Sequence, residues 1–243
     1  MSVLANQVCL VTGGSSGIGL ATANRLLEQG ARVAIAGRSA EKLARAAEQW
    51  PRDRTATYEV DVADARQVQE MVDAIVARWG GLDLLVNNAG LNIKKRTLRE
   101  LTPEAWNQLI RTNLDGAFYC IHAVLPVMRR QQRGLVINIS SVAGKRAGPL
   151  GGAAYAASKF GMSALGICLG AEEKDAGIRV CNIYPGEVDT PILENRPQPV
   201  TSEHRQSILQ PEDVALAVEF VASLPARVSV PELVIKPTSQ VYV

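Results

Sequence analysis

Val8-Cys-Leu-Val-Thr-Gly-Gly-Ser-Ser-Gly-Ile-Gly19 is the stretch that decides the fold. Its first five residues are β-forming and lack polar alternation, which predicts a strand buried on both faces. Glycine-rich sequence follows at once, and residues 20–29 then show a helical pattern that Gly30 ends. Such glycines let the backbone approach a pyrophosphate, which the free N–H groups of the helix can hold. The stretch therefore predicts a dinucleotide site, with a plain tight loop as the alternative.

Strands and helices alternate through the rest of the chain. Further predicted strands cover residues 32–36, 55–60, 82–86, 134–139, 178–183 and 232–235, and predicted helices include residues 40–49, 68–79, 102–131 and 211–224. No linker, repeat or low-complexity segment separates them. We therefore predict one α/β domain over residues 1–243, a doubly wound parallel sheet with helices on both faces. Residues 191–210 are polar and rich in Pro without strong periodicity, so we expect a mobile substrate loop there.

The composition argues against several classes of function. The chain has 243 residues, 47% hydrophobic content and a formal net charge of +2, so it can form a sizeable core but has no excess charge for nucleic acid or membrane surfaces. No apolar run approaches the ~20 residues that span a bilayer, and residues 1–8 have no export pattern. Four scattered cysteines and two distant histidines argue against disulfides and a metal site. We expect a cytoplasmic protein that acts on a small molecule.

The end of the second strand indicates which dinucleotide binds. In dinucleotide-binding folds an acidic residue at this point bonds the ribose 2′-hydroxyl, whereas an Arg accommodates a 2′-phosphate. Gly37 occupies the place of the acid, and Arg38 and Ser39 follow with donors suited to a phosphate. The sequence therefore favours NADP over NAD, and an exposed Arg at the start of a helix is the alternative.

Polar residues follow other predicted strands at their carboxyl ends. Asp61 and Val62 close the third strand, where an adenine could rest, and Asn87-Asn-Ala-Gly90 ends the fourth. Parallel sheets meet ligands at this edge, although an Asn-rich turn is the plain alternative. Asn113 stands on an otherwise apolar helix face, so it is either a structural brace or part of the site. Ser140 and Ser141 end the fifth strand.

Tyr155 and Lys159 are four residues apart, so on a helix they lie on the same face. A cation within about 4–6 Å of a phenol favours the phenolate, which suits Tyr155 to general acid or base chemistry. The pair alone is a weak motif, and its significance depends on the residues around it.

The chain resembles the short-chain dehydrogenase/reductase family over residues 8 to about 235. The shared motifs, in order, are Thr12-Gly-Gly-Ser-Ser-Gly17-Ile-Gly19, Asn87-Asn-Ala-Gly90, Asn113, Ser141, Tyr155-x-x-x-Lys159 and Pro185-Gly186. The resemblance implies a Rossmann-type fold in which Tyr155 donates and accepts the proton. It further implies that Lys159 holds the nicotinamide ribose and lowers the tyrosine pKa, that Ser141 bonds the substrate oxygen, and that Asn113 holds a water of the proton relay.

The same resemblance implies a cofactor site and a reaction. Its Gly37-Arg38 pattern is NADP-preferring, and the reaction is hydride transfer between an alcohol and a ketone or aldehyde. The matching cofactor positions are Gly13, Ser15, Ser16, Gly17, Ile18, Gly19, Arg38, Ser39, Asp61, Val62, Asn88, Ala89, Gly90, Tyr155, Lys159, Pro185, Gly186, Val188 and Thr190.

Two departures from the family bear on the substrate. Ser141 and Tyr155 are fourteen residues apart instead of the frequent thirteen, which makes Ser140 the alternative serine. The ending of the chain, through Ile235-Lys-Pro-Thr-Ser-Gln240, differs from relatives that reduce acyl-carrier-protein thioesters and is similar to the branch that oxidises 3-hydroxy acids. We therefore expect a 3-hydroxy or 3-oxo acid as substrate. A 3-oxoacyl thioester reductase and a non-catalytic NADP-binding regulator are the alternatives.

Two basic clusters, Lys94-Lys-Arg96 and Lys145-Arg146, lie in loops predicted at the carboxyl edge of the sheet. They would favour an anionic substrate if they face the cleft, and otherwise they form a solvated rim. Glu187 could pair with one of them. Apolar residues from Phe160 to Leu169 exceed one core face, which fits the homodimers or homotetramers of the family.

Overall fold

Seven parallel strands form a single sheet in the computed structural model, which describes residues 3–241. The strands are β1 (Val8–Thr12), β2 (Arg32–Gly37), β3 (Thr55–Glu59), β4 (Leu84–Asn87), β5 (Gly134–Ile139), β6 (Ile178–Pro185) and β7 (Glu232–Ile235). Their order is β3-β2-β1-β4-β5-β6-β7, so the direction of winding reverses between β1 and β4. A crevice opens at such a reversal, on the carboxyl side of the strands. The predicted doubly wound sheet is confirmed.

Helices cover both faces of the sheet. They are α1 (Gly17–Glu28), α2 (Ala40–Ala46), α3 (Ala65–Trp79), α4 (Pro103–Ile110), α5 (Gly116–Gln131), α6 (Ala153–Glu172), α7 (Ser202–Ser207) and α8 (Pro211–Ser223). Alternate residues of the buried strands enter two separate cores: Val11 packs with α1 and α8, and Leu10 packs with α3 and α5. This two-sided burial explains why the strands read as continuous apolar runs.

The helices and cysteines of residues 3–241 show three further features. None of the helices is both long enough and apolar enough to cross a bilayer. No group of three or more His, Cys, Asp or Glu side chains in this range is arranged to hold a metal ion. Cys9, Cys120 and Cys181 are buried free thiols, whereas Cys168 is exposed.

The helix predicted for residues 102–131 contains a π-helical turn. Thr102 caps its start by accepting from the Ala105 N–H, and the π turn at Arg111–Asp115 separates α4 from α5. Asn113 lies in this turn and is fully buried. π turns are frequent at functional sites because they redirect side chains within a continuous helix.

Residues 191–210 contain more regular structure than the sequence predicted. A 3₁₀ helix covers Pro191–Asn195, and α7 follows. Val188 forms an isolated bridge with Leu209, and Leu193 and Ile208 are buried. The sequence did not indicate these elements because segments of five or six residues are too short to show a helical period.

Three buried asparagines form a ladder across neighbouring strands. Asn87 donates to Asn138 (3.0 Å), Asn138 donates to Asn182 (2.9 Å), and Asn182 donates to the Ser163 carbonyl of α6 (3.1 Å). Gly166 faces this ladder, and a Cβ added there would stand 2.2 Å from Asn182 Oδ1. The helix that carries Tyr155 and Lys159 therefore reaches the sheet only because residue 166 has no side chain.

We expect Gly166→Ala to lower the free energy of unfolding, because its new methyl group clashes with buried amides that have no free space. Overpacking of this kind costs about 1–3 kcal/mol, against a gain of about 1 kcal/mol from better helix propensity. Gly170→Ala is the matched control on the same helix, since its Cβ would meet Val180 at an ordinary 3.6 Å. Urea unfolding checks both variants, and equal stabilities would contradict the proposed close contact.

Candidate active site

A cleft of about 770 Å³ opens at the carboxyl edge of the sheet, across the point where the strand order reverses. Its wall contains every residue of the predicted catalytic and cofactor sets except Gly19 and Asn113. These residues come from the ends of six strands and from the start of α1 and α6. The sheet thus brings together side chains that are as many as 177 positions apart, from Gly13 to Thr190.

The glycine turn after β1 is held closely against the end of β4. Asn88 donates to the carbonyls of Thr12 (2.9 Å) and Gly13 (3.2 Å), and the Thr12 hydroxyl accepts from the Asn88 and Ala89 N–H groups at 3.0 Å. Gly13 has φ +64°, and a Cβ on Gly19 would stand 2.3 Å from the Gly13 carbonyl oxygen. Gly19 therefore allows α1 to pack against the turn from behind. It was predicted to belong to the cofactor site, but it does not line the cleft.

The start of α1 is suited to an anion. Its N-cap residue, Ser16, makes no capping hydrogen bond with its side chain. Without a side-chain cap, the first N–H groups of a helix can bind phosphate oxygens, and the helix dipole favours negative charge there. Ser15, Ser16 and Gly17 all line the cleft at this position.

Cationic and hydroxyl donors gather at the end of β2. Arg38 is exposed and lines the cleft beside Ser39, Ser15 and Lys42, and it forms no ion pair within residues 3–241. Ser39 also caps α2 by accepting from the Lys42 N–H (3.3 Å). Lys42 was not predicted, although its place one turn into the helix after Ser39 could have indicated it. This donor set fits the 2′-phosphate of NADP.

Tyr155 and Lys159 lie in the opposite part of the cleft. The Lys159 ammonium is 5.8 Å from the centre of the Tyr155 ring and donates to the Ile139 carbonyl at 2.8 Å. Burial raises the pKa of Tyr155, and both the hydrogen bond from Ser141 and the charge of Arg96 oppose this rise. Burial lowers the pKa of Lys159 to about 8. Lys159 is not among the groups that shift the pKa of Tyr155, and its ammonium is directed at the Ile139 carbonyl, so the lowering of the tyrosine pKa by Lys159 stays a prediction.

Ser141, and not Ser140, faces the tyrosine. The Ser141 hydroxyl hydrogen-bonds the Tyr155 phenol, whereas the buried Ser140 hydroxyl bonds the Lys159 carbonyl and Ser163 within α6, both at 3.2 Å. The longer spacing between Ser141 and Tyr155 falls in an exposed loop around Gly148, where an added Cβ would meet nothing within 4 Å.

Asn113 lies behind the cleft wall as a bridge between two segments. Its side chain accepts from the Leu91 N–H (2.8 Å) and donates to the Leu91 carbonyl (3.0 Å) and the Ser158 hydroxyl (3.1 Å). A Cβ on Gly90 would stand 3.4 Å from Asn113 Oδ1 and 3.7 Å from Lys159 Nζ, so both side chains converge on this glycine. Asn113 therefore both braces the Leu91 segment against α6 and lies next to Lys159.

The basic loops divide between the cleft and the surface. Lys94 and Lys95 are exposed and lie away from the cleft wall, whereas Arg96 is buried within it. Lys145 also turns away, pairing with Glu232 (2.7 Å) above the Tyr184 ring, while Arg146 lines the cleft. These differences between neighbouring residues were not predictable from charge alone.

Glu187 pairs with basic side chains that the sequence did not indicate. Its carboxylate contacts Arg196 (3.0 Å) and His204 (2.6 Å), so the suggested pairing with the two basic clusters was wrong. Arg196, which follows the 3₁₀ helix, lines the cleft together with Glu187, and His204 of α7 contacts the same carboxylate, so a Glu–Arg ion pair stands in the cleft wall.

Comparison with known proteins agrees with this architecture. Residues 7–200 match the family profile described as short chain dehydrogenase. A protein of Staphylococcus saprophyticus named an uncharacterized oxidoreductase is 35% identical over 240 residues, which cover 98% of this chain and 100% of that protein.

Two solved structures illustrate the range of similar enzymes. The closed form of serine dehydrogenase complexed with NADP+ has a TM-score of 0.90 and 32% identity over 97% of each chain. The 3-ketoacyl-(acyl-carrier-protein) reductase of Brucella melitensis complexed with NADH has a TM-score of 0.87 and 27% identity, covering 96% of this chain and 97% of that one. This chain is an oxidoreductase of the short-chain dehydrogenase/reductase family.

Proposed function

We propose that the chain interconverts an alcohol and a ketone or aldehyde with NADP(H), using Tyr155 as the acid and base. One observation carries this proposal: the half-buried Tyr155 side chain has its phenol hydrogen-bonded to Ser141 in the wall of a cleft that continues to the glycine turn. A protein that only sensed the nucleotide would need the glycine turn but not the phenol, the serine and the lysine together.

The residues of the cleft have separate roles in this reaction. NADPH, when bound, supplies a hydride for a carbonyl carbon. The Ser141 hydroxyl donates a hydrogen bond to the substrate oxygen, and Tyr155 gives its proton to the alkoxide that develops there. The Lys159 ammonium compensates the negative charge of the phenolate that remains. Asn113 lies behind Gly90, where its polar side chain can continue a proton relay.

The preference for NADP rests on the donors at the end of β2. Arg38, Lys42 and the hydroxyls of Ser15 and Ser39 converge where an acidic residue would otherwise bond a ribose hydroxyl. Serine dehydrogenase, which is similar over nearly the whole chain, was solved with NADP+. The Brucella reductase was solved with NADH, so similar structures hold either cofactor, and we attribute the preference of this chain to the side chains at this position.

We expect Arg38→Asp to weaken NADPH binding about 10- to 100-fold, because a charge-assisted contact with phosphate is lost and a repulsive carboxylate is introduced. NADH affinity should change little. Cofactor titration by nicotinamide fluorescence measures both constants. Arg45→Asp is the matched control, since it makes the same charge change on an exposed side chain that pairs with Glu41. Equal losses for NADPH and NADH in Arg38→Asp would refute the phosphate contact.

We propose a hydroxy or oxo acid as the substrate, consistent with the ending of the chain and with the similarity to serine dehydrogenase. The alternative, a 3-oxoacyl thioester, is favoured by the similarity to the Brucella reductase. A panel of 3-hydroxy acids, 3-oxoacyl thioesters and simple ketones, followed at the nicotinamide absorbance with both cofactors, decides between them. No turnover of any compound would favour the NADP-binding regulator.

We also propose that copies of the chain associate as a dimer or tetramer through α5 and α6. Phe118, Phe160 and Ile167 on these helices are 44%, 42% and 58% exposed. Met162 and Leu169, also expected at this surface, are instead buried in the chain's own core. Light scattering of Ile167→Lys checks the association, which should weaken because a charge enters an apolar contact.

A further inference from the structure

Arg96 is a buried cation in the wall of the cleft. Only 5% of the residue is exposed, and it forms no ion pair with any carboxylate in residues 3–241. Buried Arg side chains are normally paired with an anion, because an uncompensated charge is costly to remove from water. Because Arg96 lies in the cleft wall near Tyr155, an anionic ligand could supply the missing negative charge.

Three backbone carbonyls hold the guanidinium in place. It donates to Ile93 (2.7 Å) in the loop after β4, to Leu150 (2.8 Å) in the loop before α6, and to Asn195 at the end of the 3₁₀ helix after β6. Gly152 has φ +82°, and a Cβ there would stand 2.7 Å from Arg96 Cβ, so glycine is needed to admit the arginine. A guanidinium has five N–H donors, and these three bonds leave two for a ligand.

The surroundings of Arg96 are positively charged. Burial lowers its pKa, and the charge of Arg196 lowers it further. Arg146 lines the same cleft, while the Glu187 carboxylate pairs with Arg196 and His204. The guanidinium is also close enough to Tyr155 for the two groups to interact electrostatically. An anion bound at Arg96 would thus relieve repulsion next to the proton donor.

We propose that Arg96 is the residue that selects the substrate, by binding the carboxylate of a hydroxy or oxo acid whose reacting oxygen lies at Tyr155. This inference rests on the proposed function. A planar guanidinium offers two parallel donors to a carboxylate, which an ester or amide cannot match. Lys94 and Lys95, on the same loop but exposed, take no part.

Kinetics with a matched acid and ester test the proposal. The probes are both enantiomers of 3-hydroxybutanoate and of its methyl ester. Arg96→Met should raise KM for the acid about 10- to 100-fold, as expected for a lost charge-assisted contact, with a much smaller effect on the ester. Arg96→Lys should fall between, because its ammonium keeps the charge but lacks the fork. Lys95→Met is the control on the same loop and should leave both substrates unchanged.

A purely structural role for Arg96 gives a different result. If the residue only ties three loops together, its loss affects acid and ester equally, and that outcome overturns the proposal. NADPH titration shows beforehand that each variant is folded. Should Arg96→Met fail to fold, the acid-to-ester ratio of Arg96→Lys decides, and an unchanged ratio would refute carboxylate recognition.

Binding of an unreactive acid separates this inference from the proposed function. Butanoate should bind the NADP+ complex in calorimetry, and Arg96→Met or Arg96→Lys should weaken it. Butanoate binding that depends on Arg96, in a protein that turns over neither probe, would support the anion site while the proposed reaction fails. Absence of butanoate binding to the original chain would overturn the anion site even if neutral alcohols are oxidised.

Discussion

Tyr155→Phe is expected to lower kcat by roughly 10²- to 10⁴-fold, which is the usual contribution of a positioned general acid or base. The change removes one hydroxyl and keeps the ring that packs at the cleft, so NADPH affinity should be preserved. The physical reason is that the alkoxide formed at the substrate then has no group that can protonate it in place. Single-turnover absorbance at the nicotinamide band, together with NADPH titration, separates the chemical step from binding.

Tyr58→Phe is the matched control for this prediction. Tyr58 also has a phenol in β3, but it lies outside the cleft wall. The control should therefore keep both rate and affinity. A Tyr155→Phe protein with an unchanged rate would exclude Tyr155 as the acid. It would favour the alternative that the chain is a non-catalytic NADP-binding regulator.

The order of strands and helices was predictable because this sheet is buried on both sides. Buried, mainly apolar runs such as Val8–Thr12 and Gly134–Ile139 agree with the observed strands. Boundaries set by distant side chains were not predictable. The predicted fourth strand begins at Leu82, whereas β4 is Leu84–Asn87. The Gln131 side chain accepts from the Leu82 N–H (2.9 Å) and donates to the Leu82 carbonyl (3.0 Å), so Leu82 pairs with this side chain and not with a neighbouring strand. The π turn at Asn113 likewise depends on contacts with Leu91 and Ser158.

The candidate site was predictable where residues stand at the ends of parallel strands. These ends meet at one edge of the sheet, so the sequence alone predicts that Asp61, Asn88 and Ser141 lie in the same cleft. The positions of loop side chains were not predictable in this way. Lys95 and Arg96 are neighbours with the same charge, yet Lys95 is exposed and Arg96 is buried. The carbonyls that bury Arg96 come from residues 150 and 195, and sequence spacing does not reveal such contacts.

Lys159→Met is expected to abolish most activity and at the same time to stabilise the fold. Burial lowers the pKa of Lys159 from its ordinary 10.5 to about 8, so below pH 8 the fold carries the cost of a buried charge. A shift of that size corresponds to about 3 kcal/mol. Loss of the hydrogen bond to the Ile139 carbonyl offsets about 1 kcal/mol of this gain. The free energy of unfolding at pH 7 should therefore rise by about 2 kcal/mol.

The stability difference between Lys159→Met and the original chain should depend on pH. Between pH 8 and 10.5 the unfolded chain keeps the Lys159 proton while the folded chain releases it, so this group adds stability as the pH rises. The advantage of Lys159→Met should accordingly be largest at or below pH 8 and should shrink towards pH 10.5. Urea unfolding at several pH values measures this difference, with the exposed Lys95→Met as the control that should show none. A Lys159→Met protein less stable than the original chain at pH 7 would mean that the buried ammonium is held by its contacts more strongly than burial disfavours it.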